Sequence, residues 1–325
     1  MTAELTIFDT PPGLVLAELD QLKAALDSEL PGKQLDHNLL IATWNIRAFG
    51  SVTKKWTAAG ADSPKRDYRG LRAIIEIVSR FDVIAIQEVT GDLRALRYMM
   101  KCLGPDWAFL MTDVTLGDAG HNERMAFVFD RRRVQPSGLA AELVVQPEWL
   151  DEIAADALTR QFARTPYAVS FRSGSQTFIL ATLHIDYGDA SGRVAELQAI
   201  ARWMDEWAGR LNRWHQNFLV LGDFNIDRRG DALWQAFTST GLTVPAELHS
   251  VRRSIFDEAT DPLDKYYDQI AWFETGSGSK QLNMKYSNAG SFDFLPYMYT
   301  DLNLSKISLS FRLSDHYPLW AEFLL

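Results

Sequence analysis

The stretch Phe218-Leu-Val-Leu-Gly-Asp-Phe-Asn-Ile226, FLVLGDFNI, decides how this chain is read. Its apolar run has the length of a buried strand, yet it ends abruptly on Asp223 and Asn225. A buried strand has no need of such a tip. The same pattern recurs: Asn38-Leu-Leu-Ile-Ala-Thr-Trp-Asn45 ends on Asn45, Asp82-Val-Ile-Ala-Ile-Gln-Glu88 on Glu88, and Thr177-Phe-Ile-Leu-Ala-Thr-Leu-His184 on His184. Near the end, Ser314-Asp315-His316 stands just before a further apolar run, residues 317–323. Residues 124–130 and 267–272 read as additional strands, and helical spacing occupies roughly 68–79, 192–213 and 231–239. The leucine spacing of LVLAELDQLKAALDSEL, closed by Pro31-Gly32, predicts one short amphipathic helix, giving an N-terminal helical extension over 1–37 before a body over 38–325. No Pro/Gly/Ser linker, low-complexity tract or internal repeat interrupts that body, so strands and helices are expected to form one layered α/β domain.

Composition narrows the class. The chain has 325 residues, 47% of them hydrophobic, enough for a large core. Its formal charge of -9 argues against a module that holds nucleic acid by bulk electrostatics, and argues less against an enzyme that brings a divalent cation to a phosphate. The single cysteine, Cys102, excludes an internal disulfide framework. With neither a signal-peptide pattern nor a membrane-spanning run, a cytoplasmic protein without membrane insertion is expected.

Taken singly, each polar tip has an ordinary reading as a turn cap or a surface histidine. Taken together, and with the strand ends side by side in the fold, they would bring three carboxylates (Glu88, Asp223, Asp315), two amides (Asn45, Asn225) and two histidines (His184, His316) to one rim. Carboxylate and amide oxygens suit Mg²⁺ or Mn²⁺. An imidazole oriented by a carboxylate moves protons near neutral pH. The combination points to hydrolysis of a phosphate ester.

The chain strongly resembles the endonuclease/exonuclease/phosphatase superfamily in seven motifs that occur in family order over about residues 38 to 325: Trp44-Asn-Ile-Arg-Ala-Phe-Gly50, Ile86-Gln-Glu-Val89, Asn122-Glu-Arg-Met-Ala-Phe-Val-Phe129, Leu183-His184, Gly222-Asp-Phe-Asn-Ile226, Tyr267-Asp-Gln-Ile270 and Ser314-Asp-His316. It is most similar to the pancreatic-type deoxyribonuclease branch. The resemblance implies a four-layered α/β-sandwich, two packed mixed β-sheets flanked by helices, that cuts phosphodiesters or phosphomonoesters with divalent metal, Mg²⁺ with Mn²⁺ as a second choice. It implies Glu88, Asn45 and Asp315 at the metal, with Asp223 and Asn225 holding phosphate and water. His316 would be the general base and His184 the general acid or a phosphate-stabilising hydrogen-bond donor, paired with Asp268 and Glu123 respectively. Arg164 aligns with an arginine that contacts substrate phosphate. The substrate expected is DNA, cut by water attacking in line, by a monomer with no obligate protein partner.

Two departures concern substrate. Thr90 and His121 stand where the pancreatic enzyme uses an arginine and a tyrosine at the minor groove, which weakens the expectation of efficient duplex cutting. Lys54, Lys55, Trp56, Arg66 and Tyr68, together with Lys65, form a basic and aromatic interval after Gly50 that reads as a candidate substrate clamp. The aromatic-rich segment 283–299 reads as a second pocket rim. The other functions open at this point are a phosphatase or phosphodiesterase of a small phosphorylated metabolite or lipid headgroup, and a non-catalytic interaction protein of the same fold.

Overall fold

The computed structural model describes residues 5–113, 122–143, 164–188, 190–211, 217–257, 261, 264–274 and 282–325. The first half of the chain runs α1 (Gly13–Glu29), β1 (Asn38–Phe49), α2 (Tyr68–Val78), β2 (Val83–Val89), α3 (Arg94–Leu103), β3 (Trp107–Met111), β4 (Arg124–Asp130) and β5 (Gln135–Glu142). It continues with β6 (Tyr167–Ser173), β7 (Gln176–His184), α4 (Ala190–Leu211), β8 (Asn217–Asp223), α5 (Ala232–Thr238) and β9 (Leu242–Thr243). The remainder is β10 (Asp268–Phe273), β11 (Lys285–Ser291), α6 (Lys306–Ser310) and β12 (Leu319–Leu324).

The strands form two six-stranded sheets, ordered β11-β12-β1-β2-β4-β3 and β5-β6-β7-β8-β10-β9. Each carries one parallel pair, β1 with β2 and β7 with β8, among antiparallel neighbours, so both are mixed. The two-residue period of a strand explains the layering. On β1, Leu39 and Ile41 join the core between the sheets with Val83, Ala85, Phe127, Leu180 and Leu219. Leu40, Ala42 and Trp44 point the other way and pack with Ile84, Ile86, α2 and α1. Side chains of α4 (Leu197, Ile200, Met204) and α5 (Leu233, Phe237) complete the core of the second sheet. The result is the expected pair of packed mixed sheets with helices on the flanks.

Register then places the polar tips. His184 at the end of β7 lies opposite Asp223 at the end of β8, and Asp268 at the start of β10 lies opposite Asp223 from the other side. Three functional groups thus stand in one row across adjacent strands, spaced roughly 4.8 Å apart as any ladder dictates. Gly222 makes this row possible: its φ is 145°, and a Cβ there would fall 2.1 Å from the Leu183 carbonyl oxygen of β7.

The α1 helix packs Val15, Leu19, Leu22 and Leu26 into the helix-side core of the first sheet. Its buried Glu18 accepts from Arg69 of α2, Nε to Oε2 2.5 Å and Nη2 to Oε1 2.6 Å, and from the backbone N–H of Tyr299. Arg69 also reaches Asp301 and lies over the Tyr299 ring, 4.4 Å from its centroid. Glu18→Ala leaves that buried guanidinium short of its main partner. It is expected to lower unfolding free energy in urea by about 3–5 kcal/mol, the usual penalty for breaking a buried pair, while Glu18→Leu with Arg69→Met recovers most of it. Loss of less than about 1 kcal/mol in the single variant, within the range of exposed pairs, contradicts this account of how α1 is held.

Candidate active site

At the tips of the two sheets, β1, β2, β7, β8 and the loops before β10 and β12 open onto a cleft of about 380 Å³. Asn45, Glu88, Glu123, Arg164, His184, Asp223, Asn225, Asp315 and His316 all line it. Nine of the residues singled out from sequence are therefore brought together by the fold. Asp268 lies immediately behind them, fully buried, with its Oδ2 2.6 Å from His316 Nδ1.

Asp223 is the hub. Its Oδ2 accepts from Asn45 Nδ2 at 2.9 Å, and its Oδ1 accepts from the Asn225 backbone N–H at 2.9 Å. His184 Nε2 stands 3.7 Å and His316 Nε2 3.9 Å from the same Oδ2. Burial alone would raise the Asp223 carboxyl; the two imidazoles, the Asn45 amide and the Asn225 N–H outweigh it and hold Asp223 below the ordinary carboxylate range. Glu88 follows the same logic. Burial opposes ionisation there, while His184, the Ala48 N–H, the Asn45 amide and His316 hold the carboxyl low.

The two histidines have separate partners. His184 Nδ1 faces Glu123 Oε2 at 3.4 Å, and that oxygen is 2.9 Å from Arg164 Nε. Arg164 Nη1 also stands 3.6 Å from Asp186, so the arginine is held between two carboxylates at the cleft wall. His316 is clamped harder. Its backbone N–H donates to Ser314 Oγ, Ser314 Oγ–H donates to the Asn45 carbonyl, and Trp44 Nε1–H donates to the His316 carbonyl. Burial disfavours the imidazolium, but the Asp268 and Asp223 charges prevail and raise His316 well above its ordinary value. Burial in turn pushes Asp268 up to about 6, against the pull of His316.

Backbone conformation aims these groups. Glu88 sits where the β1–β2 and β2–β4 registers shift, with φ 60°, and Asn225 has φ 46°. A bulge at Glu88 turns the carboxylate off the strand face and toward Asn45 and the Ala48 N–H, 3.0 and 2.8 Å away. Strain of this kind concentrates where chemistry demands a fixed direction.

A cation has a fitting place here. Among the described residues Asp223, Asp268 and His316 bring three potential ligand atoms within 4.8 Å of one another. That set suits Mg²⁺ poorly, because the Asp268 oxygen is committed to His316 and one donor is nitrogen. The oxygens of Asn45 and Glu88 suit it better. Asn45 Nδ2 donates to two carboxylates, which fixes the amide orientation, and leaves its Oδ1 buried without a partner beside Glu88. The cleft also carries Glu88, Glu123, Asp186, Asp223 and Asp315 against the fixed cations Arg164 and Lys265. An anionic phosphate enters such a lining only if a cation accompanies it.

Two expectations are overturned. Trp56, Arg66 and Tyr68 are buried, at 7%, 2% and 0% exposure, and none lines the cleft. Arg66 instead donates to the carbonyls of Arg47, Ala48 and Leu313, stapling the β1 tip to the segment before Asp315. Lys55 pairs with Asp62 at 2.8 Å and Lys54 is exposed, both off the cleft lining, so the interval is a structural loop and not a clamp. The segment 283–299 likewise buries Phe292, Phe294 and Tyr299 in the helix-side core, where Phe294 meets Trp44 and Tyr317. Thr90 packs its hydroxyl where a Gly50 Cβ would be, away from the cleft, and His121 lies outside the described residues. The sequence did not flag Tyr187, Ser254, Phe256, Lys265 and Tyr267 as lining. Of these, only Tyr187 and Tyr267 carried a signal, each adjacent to or near a motif histidine or aspartate.

A deoxyribonuclease of Thioalkalivibrio sp. (strain K90mix) is 32% identical over 297 residues, covering 88% of this chain and 71% of the relative. Deoxyribonuclease-1 of Bos taurus is 27% identical over 294 residues, covering 88% of this chain and 92% of the relative. Among solved structures, the mannosyl-6-phosphatase Bt3783 of Bacteroides thetaiotaomicron VPI-5482 shares the fold with a TM-score of 0.57 at 16% identity, over 88% of this chain and 100% of its own. No helix among the described residues is long and apolar enough to cross a membrane. The model of the Endonuclease/Exonuclease/phosphatase family matches residues 42–281, a span from the middle of β1 past β10 that contains the row of His184, Asp223 and Asp268. The chain is a hydrolytic phosphoesterase and belongs to the Endonuclease/Exonuclease/phosphatase family.

Proposed function

We propose that the protein is a divalent-metal-dependent phosphodiesterase that acts on DNA as a deoxyribonuclease-like endonuclease. One observation carries the reading: two imidazole Nε2 atoms, each backed at Nδ1 by its own carboxylate, flank a single Asp223 oxygen at 3.7 and 3.9 Å. Hydrolysis in line at phosphorus needs a proton taken from water on one side and a proton given to the leaving oxygen on the other. His316, oriented by Asp268, takes the first role, and His184, oriented by Glu123, takes the second. The Asp223 carboxylate accepts from the attacking water, the Asn225 amide donates to a phosphoryl oxygen, and Arg164 neutralises a non-bridging oxygen. Mg²⁺ or Mn²⁺ bound by Glu88, Asn45 Oδ1 and Asp315 would supply charge stabilisation on the phosphoryl oxygen. Water attacks directly, so the product is inverted at phosphorus and no covalent enzyme adduct forms. The two deoxyribonuclease relatives support DNA as the substrate.

The acidic cleft and the shared fold with a sugar phosphatase favour a second reading, a small phosphorylated metabolite. Purified protein with Mg²⁺ or Mn²⁺ is expected to nick supercoiled plasmid. His316→Ala and Asn45→Ala should each lower the initial rate by roughly 10³-fold or more, as loss of a proton-transfer or electrostatic group does elsewhere. Turnover of a phosphomonoester panel without cleavage of any polynucleotide would replace the first reading with the second, and absence of all turnover would favour a binding role.

The pair of His316 and Asp268 gives a separate check. Because His316 starts well above its ordinary value, use of its neutral form as a base makes kcat/KM rise with pH as the imidazolium is lost. In metal-free protein, an NMR titration should place the His316 ring above about 6.5, the unperturbed value, and Asp268→Asn should bring it down, since the amide no longer holds the proton. The ascending limb of kcat/KM should move to lower pH in that variant, while kcat falls by about 10⁴-fold from loss of the tautomer, as in other carboxylate-oriented histidines. An unchanged limb assigns the base to another group.

A further inference from the structure

Tyr187 is the exposed aromatic side chain of the cleft, 63% accessible, where the other aromatic rings of the lining, Phe256 and Tyr267, are half-buried. It stands three residues after His184 and contributes no hydrogen bond to the proton-transfer set described above. Its ring is nevertheless held. The Tyr267 ring meets it edge-on, centroids 6.3 Å apart at 86°, and the Arg193 guanidinium lies 5.0 Å from its centroid. Arg193 is itself buried and fixed, donating to the Asn225 carbonyl at 2.6 Å and to Asp227 at 2.8 Å. Tyr267 in turn lies 5.7 Å, centroid to centroid, from His316.

An aromatic ring buttressed on one side by a cation and on its edge by a second ring has lost much of its rotamer freedom before any ligand arrives. Hydrophobic burial cannot account for this order, since most of the ring remains in solvent. A cation behind the ring also draws π density away from its outer surface, which favours stacking against an extended aromatic ligand over packing with an aliphatic one. The same Arg193 ties the ring to the backbone of Asn225, so the platform and a residue of the cleft lining share one support.

We propose that Tyr187 is a stacking platform for an unpaired nucleobase flanking the scissile phosphate, making the preferred substrate single-stranded or locally melted DNA. This rests on the phosphodiesterase reading given above and specifies it: bases within an intact duplex are already stacked, and only a splayed base presents a face to the ring.

The test uses the full chain with Mg²⁺ and single-stranded oligodeoxynucleotides that carry one abasic site, moved through every position, with bis-p-nitrophenyl phosphate as a substrate without a base. Tyr187→Ala is expected to reduce kcat/KM on the intact oligonucleotide by roughly 5- to 150-fold, mainly through KM, the range found when a base loses its aromatic partner. That loss should exceed the loss on bis-p-nitrophenyl phosphate by at least about 5-fold, the lower end of the same range. Tyr187→Phe and Tyr187→Trp should restore most of it. At one position, the abasic site should slow the unsubstituted protein but not Tyr187→Ala. Equal losses on both substrates, or additive losses at every position, overturn the platform while leaving deoxyribonuclease activity in place. Failure of the unsubstituted protein to cut any oligonucleotide while it hydrolyses the small ester overturns both.

Discussion

The structure depends on one buried charge. Asp223 is 1% exposed, and a carboxylate in such a place is costly unless donors surround it. Its support comes from four separate parts of the chain: hydrogen bonds from the Asn45 amide of β1 and the Asn225 N–H in the turn after β8, and the imidazoles of His184 from β7 and His316 from the loop before β12 at 3.7 and 3.9 Å. No local segment can satisfy the group by itself. The sheets must therefore be packed in correct register before Asp223 is stable as an anion, and once they are, the catalytic row is already assembled. Stability and arrangement of the site are the same requirement here.

Much of this was legible in the chain because the strands at the site are buried on both faces. Runs such as residues 38–45 and 218–223 read as strands without ambiguity, and their polar tips stood out against them. The helices α2, α4 and α5 and the strands β4, β7 and β10 fall close to the expected spans. Elements at the margins were not legible. The edge strand β5, QPSGLAAE, contains proline and glycine and is mostly exposed, so neither periodicity nor β-propensity marks it. β11, KYSNAGS, is polar and owes its pairing to β12.

The misread loop after Gly50 shows what sequence cannot supply. A basic and aromatic interval looks the same whether it binds a ligand or its own protein. Arg66 donates its hydrogen bonds to carbonyls of residues 18, 19 and 247 positions away, and Trp56 and Tyr68 pack on each other with ring centroids 5.8 Å apart. Only the folded arrangement distinguishes a staple from a clamp. The cleft residues Ser254, Phe256 and Lys265 escaped notice for the converse reason. They sit in irregular segments between β9 and β10, where spacing carries no periodic signal, and reach the site through contacts such as the Ile255 N–H to the Asp315 carbonyl at 2.9 Å.

The Arg66 staple has one more implication. Burial lowers its guanidinium to about 10, so it remains charged at neutral pH, and every bond it makes at the cleft's edge is to main-chain oxygen. Such a joint ignores the identity of the side chains at 47, 48 and 313. Those side chains answer to other demands, because Leu313 is buried in the helix-side core, Ala48 holds φ 45° and Arg47 pairs with Asp315 at 3.3 Å, yet none of them is what the staple grips. The joint between the first strand and the segment before the last is thus written in backbone, and the chemistry of the rim in the side chains around it.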